Sequence, residues 1–224
     1  MVECFFLDRF LNRIVFFESM LQIGHGAEAI LYKDGSQVMK ERLAKAYRLP
    51  ALDESLRKFR TRREAKVLGK LQEMGFPSPH LRDFSDKRMS ILMDFVPGVK
   101  LKDVLEQREQ VLDLGREMGQ RIAKLHSANI IHGDLTTSNM ILHETLKEIH
   151  FIDFGLSFFS EKVEDKAVDL FLLQKGLETS HATQFEEMFP ELISSYQEAY
   201  GEGVKEVLDR LEKVRMRGRN KGKE

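Results

Sequence analysis

An α+β chain in two lobes, a small β-rich one leading and a reduced helical one following, is the fold this sequence predicts. Three observations predict it. Short apolar runs of strand length fill Glu18 to Arg42, a single long helical pattern follows, and beyond a Val96-Pro97-Gly98 break the patterns are mostly helical. The first lobe is expected over residues 1–96 and the second over 97–214, with a basic tail over 215–224.

Composition is compatible with this division. A chain of 224 residues that is 42% hydrophobic can bury a sizeable core. No apolar run approaches the roughly 20 residues that span a bilayer. The Phe-rich start (Phe5, Phe6, Phe10, Phe16, Phe17) is broken by Asp8, Arg9, Asn12 and Arg13, so it does not form a signal core. No membrane association and a cytoplasmic location are expected. Cys4 alone excludes an internal disulfide, and no His/Cys cluster has zinc spacing. With a net charge of -1, affinity for nucleic acid must come from local patches. Residues 1–17 read as an added strand or helix covering the first lobe, or as a partner surface, and Met20 offers an alternative start.

Three strands are expected up to Arg42, the second and third joined by a turn at Asp34-Gly35. Between the first two lies Ile23-Gly24-His25-Gly26-Ala27-Glu28-Ala29, a G-x-G-x-x-A loop set between strands. A dinucleotide fingerprint must open a helix, so this loop fits instead a flap whose backbone N–H groups cover phosphates, with Ile23, Gly24, Gly26, Ala27 and Ala29 lining it. Eleven residues beyond Ala29, Lys40 ends the apolar run Val38-Met39 and is placed to reach the α and β phosphates of ATP.

A helix is expected from about Asp53 to Met74, stopped by Gly75, Pro77 and Pro79. Leu56, Phe59, Val67, Leu68, Leu71 and Met74 mark its apolar face. Glu64 falls on or beside that face, and a carboxylate there needs a partner. Lys40 is the natural one, with Arg60 one turn away as the competitor. The opposite face, with Arg57, Lys58, Arg60, Arg62, Arg63, Lys66 and Lys70, reads equally as solvated or as a nucleic-acid surface. Ser90 to Phe95 is a further strand. The connector after it suits a hinge that binds adenine, with Met93 at the back of the pocket, the Asp94 carbonyl on the exocyclic amine and the Val96 N–H on a ring nitrogen. Helices are expected over Leu101–Glu109 and Val111–Ser127, the second with Leu114, Met118, Ile122 and Leu125 toward the core.

The chemistry concentrates in Ile131-His132-Gly133-Asp134-Leu135-Thr136-Thr137-Ser138-Asn139, followed fourteen positions after Asn139 by Asp153-Phe154-Gly155. Apolar runs of strand type flank both segments. Phosphoryl transfer requires metal ions held on the phosphates and an oriented acceptor oxygen. In H-x-D-x-x-x-x-N, Asp134 would orient or accept the acceptor's proton and Asn139 would reach one magnesium, while Asp153 would hold the other on the phosphates. One carboxylate and one amide suffice, because magnesium keeps several waters. Beyond, helices are expected over Val168–Leu177, Thr183–Tyr200 with Pro190 inside, and Val204–Met216. The final stretch from Arg215 is too polar and glycine-punctuated to fold alone, and reads as a nucleic-acid arm or a solvated end.

In order, glycine loop, strand lysine, helix glutamate, hinge, catalytic loop and Asp-Phe-Gly resemble the protein-kinase-like superfamily across essentially the whole chain. The Gly-x-Gly-Ala-Glu-Ala loop, His-Gly-Asp-Leu-Thr-Thr-Ser-Asn, Asp153-Phe154-Gly155-Leu156-Ser157, the early Glu164-Asp165-Lys166-Ala167-Val168-Asp169-Leu170 and the basic C-terminus are similar to the small kinase/ATPase subunits of the KEOPS complex. That resemblance implies a protein-kinase-like fold, ATP and Mg2+ as cofactors, and catalytic roles for Asp134, Lys40 and Glu64. It implies ATPase activity with serine/threonine kinase character. The implied partners are a metal-dependent threonylcarbamoyltransferase, the other KEOPS subunits, and tRNA reached through the complex and the basic tail.

Departures from ordinary protein kinases carry consequences. Gly133 replaces the arginine that receives an activation-loop phosphate. Thirteen residues separate Gly155 from Asp169, too few for a peptide-docking platform. Thr136 stands where lysine is usual, which removes one cation from the γ phosphate and predicts slow transfer. Asp169 is placed to brace the catalytic loop from below. The competing readings are a free-standing atypical serine/threonine kinase, a small-molecule phosphotransferase of the aminoglycoside or choline type, and a silent ATP-binding adaptor. The last is opposed by the presence of Lys40, Glu64, Asp134, Asn139 and Asp153 together.

Overall fold

Alternation of buried and half-exposed residues along Gln37–Arg42 places Val38, Lys40 and Arg42 on one inward face, and a sheet forms around this strand. In the computed structural model, which describes residues 20–26, 28–107 and 110–220, the chain divides into two compact units. One comprises the described residues through Ala65 together with His80–Phe95. The other comprises Lys66–Pro79 and Val96 onward. Residues 1–18, Ala27, Glu109 and the tail residues 221–224, which figure in the expectations above, lie outside the described residues. No described helix is long and apolar enough to cross a membrane.

The first unit holds a five-stranded antiparallel sheet of β1 (Leu21–His25), β2 (Ala29–Asp34), β3 (Gln37–Arg42), β4 (Leu81–Ser85) and β5 (Ser90–Asp94), in the order β1-β2-β3-β5-β4. The β2–β3 hairpin pairs Asp34 with Gln37, so its turn is Gly35-Ser36, one residue later than expected. Helix α1 runs Pro50–Glu73. It begins earlier than Asp53 because proline is tolerated in the first turn, where its missing N–H has no helical partner. It ends as expected at Gly75, with Gly75 N–H on the Gln72 carbonyl at 3.1 Å and Phe76 N–H on the Leu71 carbonyl at 2.9 Å. Phe59 departs from the expected apolar face. Its ring is 58% exposed under the Arg63 guanidinium, whereas Thr61, Glu64, Ala65, Val67, Leu68 and Leu71 are buried.

Lys66–Pro79, expected in the first lobe, is grouped with the second unit, and the contacts explain why. Phe76 packs edge-on against Phe151 at 5.5 Å, and the Phe151 N–H donates to the Pro77 carbonyl at 2.9 Å. This unit adds β6 (Gly98–Lys100), α2 (Leu101–Glu106), α3 (Val111–Ser127), β7 (Ile130–Ile131), β8 (Met140–His143), β9 (Ile149–Phe151) and β10 (Phe158–Phe159). Helices α4 (Val163–Ser180), α5 (Ala182–Tyr200) and α6 (Val204–Asn220) complete it. Strands β6, β8 and β9 form one small sheet, and β7 pairs with β10.

The expected helix over Val204–Met216 runs on to Asn220, so residues 217–220, expected in the tail, belong to α6. Val207, Leu211 and Val214 bury one face of that helix. Arg215 Nε donates to the Gln174 amide oxygen at 2.6 Å, and Arg217 pairs with Glu164 at 2.6 Å. These side chains find partners on α4, which extends the helix past the last apolar position.

The centre of the second unit is the contact of α3 with α5. Beyond the expected Leu114, Met118, Ile122 and Leu125, the contact depends on two glycines. A Cβ at Gly119 would lie 2.2 Å from the Leu192 carbonyl oxygen and 2.1 Å from Ser195 Oγ, and one at Gly115 2.8 Å from Met188 Cγ. The backbones therefore approach closely enough for Ser195 Oγ to donate to the Arg116 carbonyl at 2.8 Å. Gly119→Ala must push a backbone carbonyl aside. It is expected to cost about 2–3 kcal/mol and to lower the melting temperature by several degrees, while a helical control whose Cβ would meet nothing within 4 Å, Gly69→Ala, is neutral or stabilising; calorimetry of both variants checks this.

Candidate active site

Lys40 sits at the inward face of β3, which is hydrogen-bonded on both sides. Its Nζ lies 2.7 Å from Glu64 Oε1, and both side chains are almost fully buried. Arg60, the competing partner, pairs instead with Glu28 at 2.6 Å. The second Glu64 oxygen is taken by Arg42, a partner the sequence reading missed. The signal was present, since Lys40 and Arg42 are two apart on a strand and must share a face.

Most cations on the outer face of α1 are similarly committed. Arg57 pairs with Asp53, Lys58 with Glu54, Arg62 with Asp86 and Lys70 with Glu73. This favours the solvated reading of that face over the nucleic-acid one.

The remaining first-unit positions are placed as follows. Ile23 and Gly24 lie within β1, Ala29 opens β2, and Gly26 N–H donates to the Ala29 carbonyl at 2.9 Å. Met93 is buried opposite Val38. Asp94 ends β5 with its carboxylate bound in two places by Arg82, at 2.6 and 2.7 Å. Val96 is buried as the first residue of the second unit's later segment.

In the second unit the catalytic loop links β7 to β8. Its ends are fixed by buried Ile130, Ile131 and Met140, and its middle by Leu135, fully buried. Asp169, 1% exposed, accepts the His132 N–H at 2.8 Å and the Gly133 N–H at 2.9 Å. His126 approaches the same carboxylate at 3.3 Å, and its other ring nitrogen meets the Tyr196 hydroxyl at 3.0 Å. Burial holds the Tyr196 hydroxyl protonated, well above the usual phenol range. The Asp169 carboxylate can only accept, so His126 donates to it from Nε2, and the protonated Tyr196 hydroxyl has a proton to give the other ring nitrogen. Burial works against the Asp169 charge, yet these hydrogen bonds and the neighbouring histidines hold its pKa below the ordinary carboxylate range.

Gly133 has φ +79°, and a Cβ there would meet the Leu156 carbonyl oxygen at 2.6 Å. Arginine at this position is excluded on steric grounds, which gives the expected loss of a phosphate receiver a local cause.

His132 ties the two acidic segments together. Its Nε2–H donates to the Ile152 carbonyl at 3.2 Å, and its Nδ1 accepts the Asp134 N–H at 3.3 Å. One further bond, Ile152 N–H to the Asn139 carbonyl at 2.9 Å, brings Asn139 beside the residue that precedes Asp153. The exposed Asp134 carboxylate accepts from Asn139 Nδ2 at 2.8 Å, and the Asp134 carbonyl accepts from the same nitrogen at 2.9 Å. Asp153 stands in a left-handed conformation, φ 60°, with Oδ1 accepting the Gly155 N–H at 3.3 Å. Phe154 is buried against the His132 ring at 4.9 Å, which anchors the turn.

Among the described residues no three of His, Cys, Asp and Glu converge as a metal site. The donor set available is instead the Asp153 carboxylate and the Asn139 amide. Both amide protons are spent on Asp134, so the atom Asn139 can offer a cation is its oxygen. Oxygen donors in this small number suit magnesium that retains water and phosphate ligands. Thr137, in the same loop, meets His181 Nε2 at 3.0 Å, a second loop anchor that the sequence reading missed.

A lysine–glutamate pair on a sheet and helix, followed by a loop aspartate and asparagine and then Asp-Phe-Gly, places the molecule in the protein-kinase-like class. Solved structures agree on the fold. A Rio2 kinase–ADP/Mg2+–phosphoaspartate complex from Chaetomium thermophilum superposes with a TM-score of 0.59 at 17% identity, covering 94% of this chain and 75% of that one. Within the class, residues 31–199 match the RIO domain. The EKC/KEOPS complex subunit BUD32 of Encephalitozoon cuniculi is 44% identical over 88% of this chain and 94% of its own length. A probable bifunctional tRNA threonylcarbamoyladenosine biosynthesis protein of Methanobrevibacter smithii is 38% identical over 88% of this chain, which spans 36% of its length. The chain belongs to the RIO-domain family, in the branch of the KEOPS subunit Bud32.

Burial pushes the His132 imidazole down from its ordinary value of 6.5, outweighing the nearby charges of Asp169, Asp153 and Asp134. The unfolded chain takes this proton at a pH where the folded one refuses it. The stabilisation is therefore complete above pH 6.5 and is lost as pH falls, by up to about 1.4 kcal/mol per unit, until the folded imidazole protonates. His150 and His181 are shifted the same way by burial. Melting temperatures from pH 7.5 to 5 are expected to fall less steeply in His132→Gln than in the wild type; identical slopes would count against a neutral, buried His132.

Proposed function

We propose that this chain is an ATP- and magnesium-dependent phosphotransferase with ATPase activity, acting as the kinase-like subunit of a KEOPS assembly that supports threonylcarbamoyladenosine formation in tRNA. The observation that carries the reading is the Asn139 amide, whose nitrogen donates to both the carbonyl and the carboxylate of Asp134, which fixes that carboxylate and leaves the amide oxygen to bind a cation. An ordinary turn has no reason to spend both amide protons on one aspartate.

Magnesium, held by Asp153 and Asn139, would neutralise charge on the phosphates. In this reading Asp153 and Asn139 are its protein ligands, and Lys40, oriented by Glu64, takes the α and β phosphates. Asp134, steered by Asn139, orients the acceptor oxygen and receives its proton. Ile23, Gly24, Gly26, Ala27 and Ala29 are the proposed lining of that loop, and Met93, Asp94 and Val96 the proposed adenine contacts.

The acceptor follows from the short stretch between Gly155 and Asp169. Much of it is already used by β10 and the start of α4, which leaves little to hold a peptide. Water or a group presented by a partner is therefore the proposed acceptor, and serine/threonine kinase activity a secondary one. A threonylcarbamoyltransferase is the proposed partner, supported by the relative in which this domain is one part of a longer chain named for threonylcarbamoyladenosine biosynthesis. A cytoplasmic location and tRNA contact belong to the same proposal. Arg215 and Arg217 already have partners on α4, so the tail's part in tRNA binding falls mainly to the positive charges beyond them.

Asp153→Ala is expected to abolish ATP turnover, and Asp134→Ala to lose turnover while keeping nucleotide affinity within about threefold, since it removes the base and not a phosphate ligand. The wild-type chain alone is expected to hydrolyse ATP weakly and to accelerate when the transferase and tRNA are added. Equal hydrolysis by wild type and Asp153→Ala in a contaminant-controlled assay would sink the reading, and efficient phosphorylation of generic peptides by the isolated chain would favour a free-standing kinase.

A further inference from the structure

One lysine is enough to neutralise Glu64, yet the structure buries a second cation against it. Lys40 is 6% exposed, Arg42 5% and Glu64 1%. Dehydrating an additional guanidinium is costly, and buried ionic groups of this kind are often poor sources of stability. A role in stability alone therefore explains Arg42 badly. What the second cation does provide is geometry. Glu64 Oε1 is held by Lys40 and Oε2 by Arg42, so the carboxylate cannot swivel about its last bond, as it could on a single lysine.

The frame behind the two cations is rigid. Lys40 and Arg42 lie two residues apart on β3, which is flanked by β2 and β5. Lys40 stands opposite Leu31 and Ile91, and Arg42 stands opposite Ala29 with its N–H on the Met89 carbonyl at 3.0 Å. The two side chains thus leave the strand about 6.6 Å apart and converge on one carboxylate from α1. The cations one and two turns before Glu64 on α1, Arg60 and Arg57, are committed to Glu28 and Asp53.

We propose that Arg42 is a positioning residue for ATP turnover: it clamps the free end of Glu64, so that Glu64 holds Lys40 in one orientation and the lysine–glutamate pair stays assembled without an activating signal. Moving Glu64 away from the sheet would require two buried charge contacts to break together. In a chain with no arginine at position 133 to receive a phosphate, a permanently latched pair replaces phosphorylation as the means of keeping the lysine in place. The inference rests on the ATP reading above and assigns that site an additional residue and a fixed, unswitched state.

The test is steady-state ATP turnover by Arg42→Met, Arg42→Lys and Asp153→Ala in the assembled complex, well below each variant's melting temperature. Arg42→Met keeps the apolar stem but not the clamp. It is expected to lose about 30-fold to 100-fold in turnover number, as misplaced catalytic groups do, with the Michaelis constant for ATP changed by less than about threefold. Arg42→Lys, which retains a cation on Oε2, is expected to recover most of the loss, to within about threefold of wild type. Turnover within twofold of wild type in Arg42→Met, whatever its melting temperature, would overturn the proposal. If Arg42→Met does not fold, the decision passes to Arg42→Lys by hydrogen exchange at Thr61–Leu68: faster exchange than wild type is expected, since a flexible ammonium holds Oε2 more loosely than the planar guanidinium, and unchanged exchange overturns the clamp. Asp153→Ala separates the two levels. If it remains active, the ATP reading has failed, and if it is dead while Arg42→Met is not, only the clamp has failed.

Discussion

The catalytic loop has no helix or strand of its own over His132–Thr136, and its shape depends on one buried carboxylate. Asp169 receives two consecutive backbone N–H groups and faces His126, itself fixed by Tyr196. Hydrogen bonds to a charged acceptor contribute about 1.5–3 kcal/mol each, enough to offset the dehydration of Asp169 and to hold the loop. Removing the carboxylate would leave the His132 and Gly133 donors inside the protein without an acceptor. The order of construction follows: α4 carries Asp169, Asp169 sets His132 and Gly133, His132 sets the Asp134 backbone, and Asn139 sets the Asp134 side chain.

Glu64 plays the corresponding part in the first unit. A carboxylate held by two partners on a rigid strand fixes a lysine there, much as Asp169 fixes a loop in the second unit. Both acids are almost wholly buried, both are satisfied, and both come from helices while their partners come from the strand or loop alongside. Rigid preorganisation of this kind is what phosphoryl transfer draws on, since the protein has little covalent work to do. Gly133 adds to it, because the backbone at that point accommodates no side chain.

Much of this was legible in the sequence, and the exceptions are physical. Short apolar runs fixed by turns were found close to their observed bounds, as were Lys40 facing Glu64 and Asp169 beneath the loop, because each depends on local periodicity or on motif spacing. Arg42 and His181 escaped notice because a buried polar side chain looks like a surface one until its partner, distant in sequence, is known. Gly119 was missed because close helix approach is a property of two helices and the apolar stripe of one. Phe59 was misplaced on α1 because helical periodicity marks a face without saying how far along the helix that face stays covered. The last turn of α6 was read as tail for the opposite reason: Arg215 and Arg217 are polar, and only Gln174 and Glu164 on α4 make that polarity compatible with a packed helix.

The account stands or falls on whether Asp169 shapes the loop for ATP chemistry. Asp169→Asn keeps size and packing but replaces one acceptor with an amide nitrogen, which must face a backbone N–H. Single-turnover ATP hydrolysis by this variant, compared with wild type at a temperature where both are folded, measures the consequence. The predicted result is a loss of about 100-fold or more with nucleotide still bound. Wild-type hydrolysis by a folded Asp169→Asn protein would contradict the account.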